Sequence, residues 1–469
     1  MFAYDRKPKG DRGRVEVPVS ETAIRLLRRA VATVAGMRAV CARDPERDFT
    51  RSRVIPLVEL LWLLVTWGAG TLAHELIRAG LTPQATVPAL IQQWQKLSAA
   101  AMPLLLATYN SYLRPVPWRG AWRLLAADGT EFETATDRNC ERSWHRPTKK
   151  RPKGWNSAIA VCLYDLGAKR FLDMVFQGCR EKDERGALCD MLARLAPVAG
   201  LRDLVLADRG FTSYNVFATL IEGGRSFVIR ATDQWVERLL GLERGTLEGE
   251  LDITVTRVLT RSRGEAGGED FRFVAKRTRF DHIGAGGRYT IRLRVVRFRL
   301  ESGEWECLVT DTDIGVGDLK DIYFLRWGEE IVFRELKCTI GLEKFHTKDL
   351  GRVEQETWAR LVLYNACSYG VSGLRPPWAG RKRGRAVDRT NAFKAFLEKV
   401  RGRDVDVEAA AERFTHALPA KADGDGTDAD APEGAGGGDD DAGDAGGGGK
   451  GKRRKRSRKP YSSQYRVCG

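Results

Sequence analysis

The stretch LKDIYFLRWGEEIVFRELKCTI, residues 319–340, decides how the chain is read. Taken as a helix at about 100° per residue, it brings Tyr323, Arg326, Glu330 and Lys337 into one sector about 60° wide. Ile322, Leu325, Phe333, Leu336 and Ile340 fill the adjoining sector and predict a face seated on a core. A carboxylate beside a phenol, a guanidinium and an ammonium suits chemistry on a phosphodiester, Glu330 binding a metal ion while the cations bind phosphate oxygens. The same geometry turns Glu329 into the apolar sector and Glu335 away, which leaves Glu330 as the acid of this face. An ordinary amphipathic helix with charge pairs four residues apart gives a similar pattern, so the stretch needs partners elsewhere.

Those partners lie upstream, where the pattern changes at Ala121 to short β-rich runs. WRLLAADGT (122–130) reads as an apolar strand ending in Asp128-Gly129-Thr130. SAIAVCLYD (157–165) and KRFLDMVFQG (169–178) are two more strands, followed by a helix over 184–196. LRDLVLADRGF (201–211) is a buried strand ending in Asp208-Arg209-Gly210-Phe211, and SFVIRAT (226–232) is a further strand. This order predicts an α/β fold with an RNase H-like catalytic core. An Asp-Gly at a strand end is ordinarily a turn, but here two strand tips and a following helix deliver Asp128, Asp208 and Glu330 towards one place. Three such carboxylates repel one another unless cations neutralise them. Two Mg²⁺ (or Mn²⁺) ions about 3.5–4 Å apart do so while activating the attacking oxygen and stabilising the leaving one. Hard oxygen ligands favour Mg²⁺ over zinc. A glycosidase also uses paired carboxylates, but it has no need of Arg326, Lys337 and a cationic body.

The spacing Tyr323-x-x-Arg326-x-x-x-Glu330-x-x-x-x-x-x-Lys337, with the Asp128-Gly129-Thr130 and Asp208-Arg209-Gly210-Phe211 motifs, resembles bacterial insertion-sequence transposases of the "insertion sequence four" family. The resemblance spans roughly residues 20 to 400. It implies a DDE transposase that cleaves DNA at transposon ends and joins the freed 3′-hydroxyl to target DNA, by a cut-and-paste route through a hairpin intermediate. It also implies Asp128, Asp208 and Glu330 as catalytic metal ligands, with Tyr323, Arg326 and Lys337 on DNA. Related enzymes stack an insertion-domain tryptophan on a flipped base; Trp305 is the candidate, with a buried core tryptophan as the other reading. The chain departs from the family at Glu329, where an apolar residue is common, and in its long C-terminal tail. A catalytically inactive, transposase-derived DNA-binding protein is the alternative.

Composition agrees with a nucleic-acid partner. The 469 residues carry a net charge of +16, and acids and bases nearly balance past residue 420, so the remainder is cationic. Nine cysteines without a CxxC pair argue against disulfides and structural zinc, and five histidines argue against a histidine-based metal site. The first twenty residues lack an apolar signal segment, and the apolar run at 54–67 contains Glu59, as a buried helix does. The expectation is a cytoplasmic, nucleoid-associated bacterial protein with no membrane contact.

Five regions follow. Residues 1–115 form a helical DNA-binding region, with helices at 20–34, after Pro56, and from Thr86 with Gln92, Gln93, Gln95 and Lys96 outward. Residues 116–232 and 306–415 are the two parts of the core. Between them, 233–305 is a β-rich insertion in which RYTIRLRVVRFRLESGEW (288–305) slips its alternation at Val295-Val296, predicting a β-bulge and a face of Arg292, Arg294, Arg297 and Arg299. Residues 416–469 are a disordered acidic Gly/Asp-rich linker and basic tail. RSWHRPTKKRPKGW (142–155) reads as a loop beside the site, placing Lys149, Lys150 and Arg151 on phosphate. The partners are double-stranded DNA, at transposon ends and target, and a second copy of the chain. Two 3′-hydroxyls must be presented together, so a homodimer forms on DNA.

Overall fold

The computed structural model describes residues 17–51, 54–283, 287–300, 302–326, 328–374, 385–413 and 415–417, with backbone alone at 328–330, 385–386 and 416–417. The predicted linker and tail from 418 onward lie outside the described residues.

Helices come first: α1 (Val19–Ala35), α2 (Arg38–Cys41), α3 (Leu57–Thr66), α4 (Leu72–Arg78), α5 (Val87–Trp94) and α6 (Ala101–Ser111). Thr86 caps α5, its hydroxyl accepting from the Ala89 N–H with Pro88 in the first turn, as the sequence predicts. Gln93, predicted to face outward, is buried, because α5 packs against the rest of the protein and Trp94 Nε1 donates to Gln355 at 2.7 Å.

Ten strands then build one mixed sheet: β1 (Trp122–Thr134), β2 (Trp144–His145), β3 (Trp155–Asp165), β4 (Arg170–Gly178), β5 (Arg202–Ala207), β6 (Ser226–Ala231), β7 (Leu251–Thr260), β8 (Phe271–Phe273), β9 (Arg288–Arg299) and β10 (Trp305–Thr310). The order is β2-β3-β1-β5-β6-β10-β9-β7-β8, with β4 also on β3. Strands β1, β5 and β6 are parallel, and β3 runs antiparallel to β1. The interspersed helices are α7 (Glu184–Arg194), α8 (Tyr214–Glu222) and α9 (Asp233–Leu240). Past β10 come α10 (Val316–Leu325), α11 (Gly328–Glu335), a π-helical turn (Leu336–Ile340), α12 (Leu350–Gly370), β11 (Arg385–Val387), α13 (Arg389–Val400), α14 (Val407–Arg413) and β12 (Thr415–Ala417).

Alternation along the strands sorts the interior into three parts. Leu125, Ala127, Val161, Val205, Ile229 and Val309 face α7, α8 and α9. On the other side of the sheet, Leu124, Leu204, Leu206, Val228, Val296 and Leu308 meet Leu319, Ile322 and Tyr323 of α10. The rest of that side, including Phe132, Tyr164 and Phe171, is covered by the N-terminal helices together with α11 and α12. The strands of 233–305 are therefore not set apart: β10 pairs with both β6 and β9, and the sheet continues through them.

Three local expectations change. Strand β1 does not end at Asp128 but runs on to Thr134, since Thr130, Phe132 and Thr134 alternate into the interior while β3 stays paired alongside. Val295 and Val296 keep regular pairing with Val309 and Leu308, so there is no bulge; both are buried because this part of β9 has cover on both faces. Two of the four arginines of the predicted face have carboxylate partners, Arg294 on Asp252 (2.7 and 2.8 Å) and Arg297 on Asp233 (3.0 Å). Finally, residues 319–340 are not one helix. They divide among α10, α11 and the π-helical turn, and their apolar residues divide too. Ile322 joins the α10 interior, Phe333, Leu336 and Ile340 join the N-terminal one, and Leu325 is left 37 % exposed.

Candidate active site

Strand register brings the two aspartates together. Ala127 of β1 lies opposite Ala207 of the parallel β5, so Asp128 and Asp208 follow side by side where the pairing ends. By alternation both carboxylates project to the face of Leu124, Leu204 and Leu206, the face covered by α10. Each accepts the next residue's N–H on Oδ1, Asp128 from Gly129 at 2.8 Å and Asp208 from Arg209 at 2.6 Å. Burial pushes the Asp128 carboxyl above the usual carboxylate range; the Gly129 N–H and Arg326 oppose this, while Asp208 and Glu184 add to it.

Arg326 and Tyr323 stand over this pair. Both are buried, 4 % and 3 % exposed, with the guanidinium carbon 5.4 Å from the phenol ring centre. Burial alone would lower the Arg326 guanidinium, but Tyr323, Asp208 and Asp128 outweigh it and hold the charge in place. The Tyr323 hydroxyl makes no well-formed hydrogen bond among the described residues, and burial pushes it well above its ordinary value. The sequence reading placed Tyr323 on a narrow polar face, whereas α10 buries it in the interior that also holds Leu206 and Leu308.

Of the other predicted residues, Glu330 lies in α11, with its side chain, like that of Glu329, outside the described residues. Glu335, which the sequence reading turns away from the polar face, is buried between Arg389 (2.8 Å) and the Tyr364 hydroxyl (3.0 Å). Lys337 donates to the Glu131 carbonyl of β1 at 2.7 Å and lies 3.6 Å from Glu343. Trp305 is 37 % exposed at the start of β10 and not in the core, with the Arg297 guanidinium 4.2 Å from its ring centre. The 142–155 segment is a hairpin and not an open loop: Trp144 and His145 pair with Asn156 and Trp155, and a tight turn from Thr148 to Arg151 leaves Lys149 and Lys150 exposed. Gly154, at φ +68°, makes room for the Trp144 ring, which a Cβ would meet at 2.4 Å. Arg151 pairs with Glu133 at 2.6 Å and covers Trp155, which is stacked on His145.

Three residues at the site were missed. Arg230 and Glu306, 3.4 Å apart, lie on the sheet face of Val228 and Leu308 and act electrostatically on Tyr323, as does Asp208. Their signal was a charge in step with the inward positions of an apolar strand. The third, Glu184, opens α7 and reads in sequence as an ordinary first-turn acid.

Among the described residues, no three His, Cys, Asp or Glu side chains stand close enough to hold a metal ion. The Asp128–Asp208 pair nonetheless fits a hard divalent cation. The half-buried Asp128 carboxylate is costly to ionise beside Asp208, and each of the two accepts one backbone N–H on one oxygen.

Residues 121–366, more than half of the chain, match the family described as Transposase DDE domain. The chain belongs to that family. This DDE transposase is accordingly a polynucleotidyl transferase, and both paired aspartates lie within the matched region. A comparison with curated proteins gives no match. Among solved structures, the chain is similar to the piggyBac transposase synaptic complex with hairpin DNA, determined by cryo-electron microscopy. The identity is 13 % and the TM-score 0.35, over 87 % of this chain and 78 % of that one. Among the described residues, no helix of the transposase is long and apolar enough to cross a membrane.

Proposed function

We propose that this DDE transposase serves an insertion sequence of the "insertion sequence four" family, with an RNase H-like core that cleaves transposon ends and transfers them into target DNA by cut-and-paste. The observation that carries the reading is the side-by-side placement of Asp128 and Asp208 at the end of the β1–β5 pairing, under a guanidinium whose charge both stabilise. Asp128, Asp208 and Glu330 are the catalytic acids and would hold two Mg²⁺ (or Mn²⁺) ions. Held by these acids, such ions would supply activation of the attacking oxygen and stabilisation of the leaving one. Arg326 and Lys337 bind phosphate oxygens of the end, and Tyr323, whose hydroxyl lacks a well-formed partner among the described residues, hydrogen-bonds beside them. Lys149 and Lys150 at the hairpin tip, with Arg151 behind them, contact the duplex backbone, and exposed Trp305 stacks on a base turned out of the helix. One such site per chain serves one end, so two chains pair on two ends as a homodimer. The protein works in the bacterial cytoplasm on nucleoid DNA.

The test is strand cleavage. A duplex carrying the inverted repeat that flanks the gene, incubated with the full chain and Mg²⁺, is expected to be nicked at the repeat's terminus and to yield joined products with target DNA. Specific binding of that duplex without any cleavage would make the chain a DNA-binding derivative of a transposase.

A further inference from the structure

The first turn of α7 is docked between the two aspartate motifs. An oxygen of Glu184 lies 2.9 Å from where a Cβ on Gly129 would stand, and the other lies 3.8 Å from the corresponding point on Gly210. Arg185, the next residue, donates from Nε to the Gly210 carbonyl at 2.8 Å. Gly129 thus leaves the space that this carboxylate occupies, and Gly210 borders it at ordinary contact distance. Helix capping does not explain it, because Asp183 already fills that role, its Oδ1 accepting from the Gly186 N–H at 2.9 Å. The ion partner of Glu184 is Lys182, at 3.3 Å and with about half of its side chain exposed.

A third acid beside two half-buried aspartates is unfavourable unless positive charge enters between them. An exposed lysine is a weak, displaceable source of that charge. The opposite flank of the site points the same way. Tyr323 is 3 % exposed, lies beside Asp208 and Arg326, and has a hydroxyl without a well-formed hydrogen bond among the described residues, an arrangement that suits a group still to be bound.

We propose that Glu184 is a fourth acid of the active site, a positioning residue that holds the water shell of the divalent cation bound by Asp128 and Asp208. The inference rests on the reading of those two aspartates as cation ligands. Glu184 acts through water because, among the described residues, no three acids come close enough to share an ion directly. Lys182 is the charge that the cation displaces. Residues that orient a metal's ligands and waters typically change its affinity by about tenfold or more when removed.

Mn²⁺ binding to the full chain, followed by electron paramagnetic resonance, tests this without requiring turnover. Glu184→Gln is expected to weaken Mn²⁺ binding about tenfold and to move the Mg²⁺ midpoint of strand cleavage upward by a similar factor, with Glu184→Asp restoring part of both. Lys182→Ala, an exposed change that spares folding, is expected to tighten binding about twofold by removing the competing charge. Unchanged binding in Glu184→Gln alongside a loss in Asp128→Asn overturns the role of Glu184 alone, as does weaker binding in Lys182→Ala. Unchanged binding in both Glu184→Gln and Asp128→Asn overturns the reading of the aspartates and this inference with it.

Discussion

The aspartate pair and the signature segment are held by different forces. Asp128 and Asp208 are placed by backbone pairing: six consecutive residue pairs align β1 with β5 up to Ala127 and Ala207, and the acids come next. Tyr323, Arg326 and Lys337 have no such frame. Tyr323 lies in α10, Arg326 at its end and Lys337 in the π-helical turn, pieces whose apolar residues enter two different interiors, and Phe324, 73 % exposed, and Ile331 face solvent between them. Strand pairing fixes position whatever the side chain, whereas a packed helix keeps its position only while its anchors fill their sites. Substitution should therefore separate the regions: on the sheet, chemistry fails while the fold persists, and on the helices the two fail together.

The largest effect is expected at the pair. Asp128→Asn should cut strand cleavage by at least about a thousandfold while leaving the melting temperature intact. Its sign with pH can be worked out. Burial, with Asp208 and Glu184 adding to it, raises the Asp128 carboxyl in the folded chain. The stability the group contributes is thus present at low pH and lost as pH rises through its folded value. Asp128→Asn should melt no lower than the parent at pH 8, and the gap should narrow as pH falls. A large drop in melting temperature at pH 8 would mean that the carboxylate, and not the pairing, holds this edge of the sheet.

An intermediate effect is expected at an anchor. Phe333, nearly buried with its ring 6.1 Å from Phe171, joins α11 to the sheet. Phe333→Ala should cost about 3 kcal/mol of stability, read by denaturant unfolding, and should lower cleavage even at temperatures where the chain remains folded. Loss of stability with full cleavage would show that the signature residues do not depend on this packing.

The smallest effect sharpens the distinction. Because the Tyr323 hydroxyl has no well-formed hydrogen bond among the described residues, Tyr323→Phe should change stability by less than about 0.5 kcal/mol, yet slow cleavage about tenfold by removing a donor to the bound end. Equal rates in the two proteins would reduce the phenol to a packing element.

Legibility in the sequence follows the same division. Strands announced themselves because apolar runs with turn residues at their ends need only local pattern. The Asp128 motif was found for this reason, although Thr130, Phe132 and Thr134 already carried the alternation that continues β1 past it. The break after α10 had a signal in Gly328, a residue that weakens a helix interior, but four motif positions in phase outweighed it. Val295 and Val296 misled for a nonlocal reason: the cover on the second face of β9 comes from α10, which follows it in the chain. Glu184 was missed because a first-turn acid is ordinary in any helix, and only the fold brings it against Gly129.

The interior shared by α1, α3, α6 and α12 bears on how the chain is made. Arg360 of α12 lies wholly inside it, donating to the carbonyls of Trp67 (2.5 Å) and Gly68 (3.2 Å). During synthesis the first hundred residues emerge with an apolar face that strands β1, β3 and β4 cover only in part, the rest of the cover being encoded after the signature segment, so this interior stays open until Leu350–Gly370 has left the ribosome. A product interrupted earlier is then not a folded end-binding fragment that competes with the full chain. It is an unfinished interior, and such species are drawn into aggregation or degradation before they reach DNA.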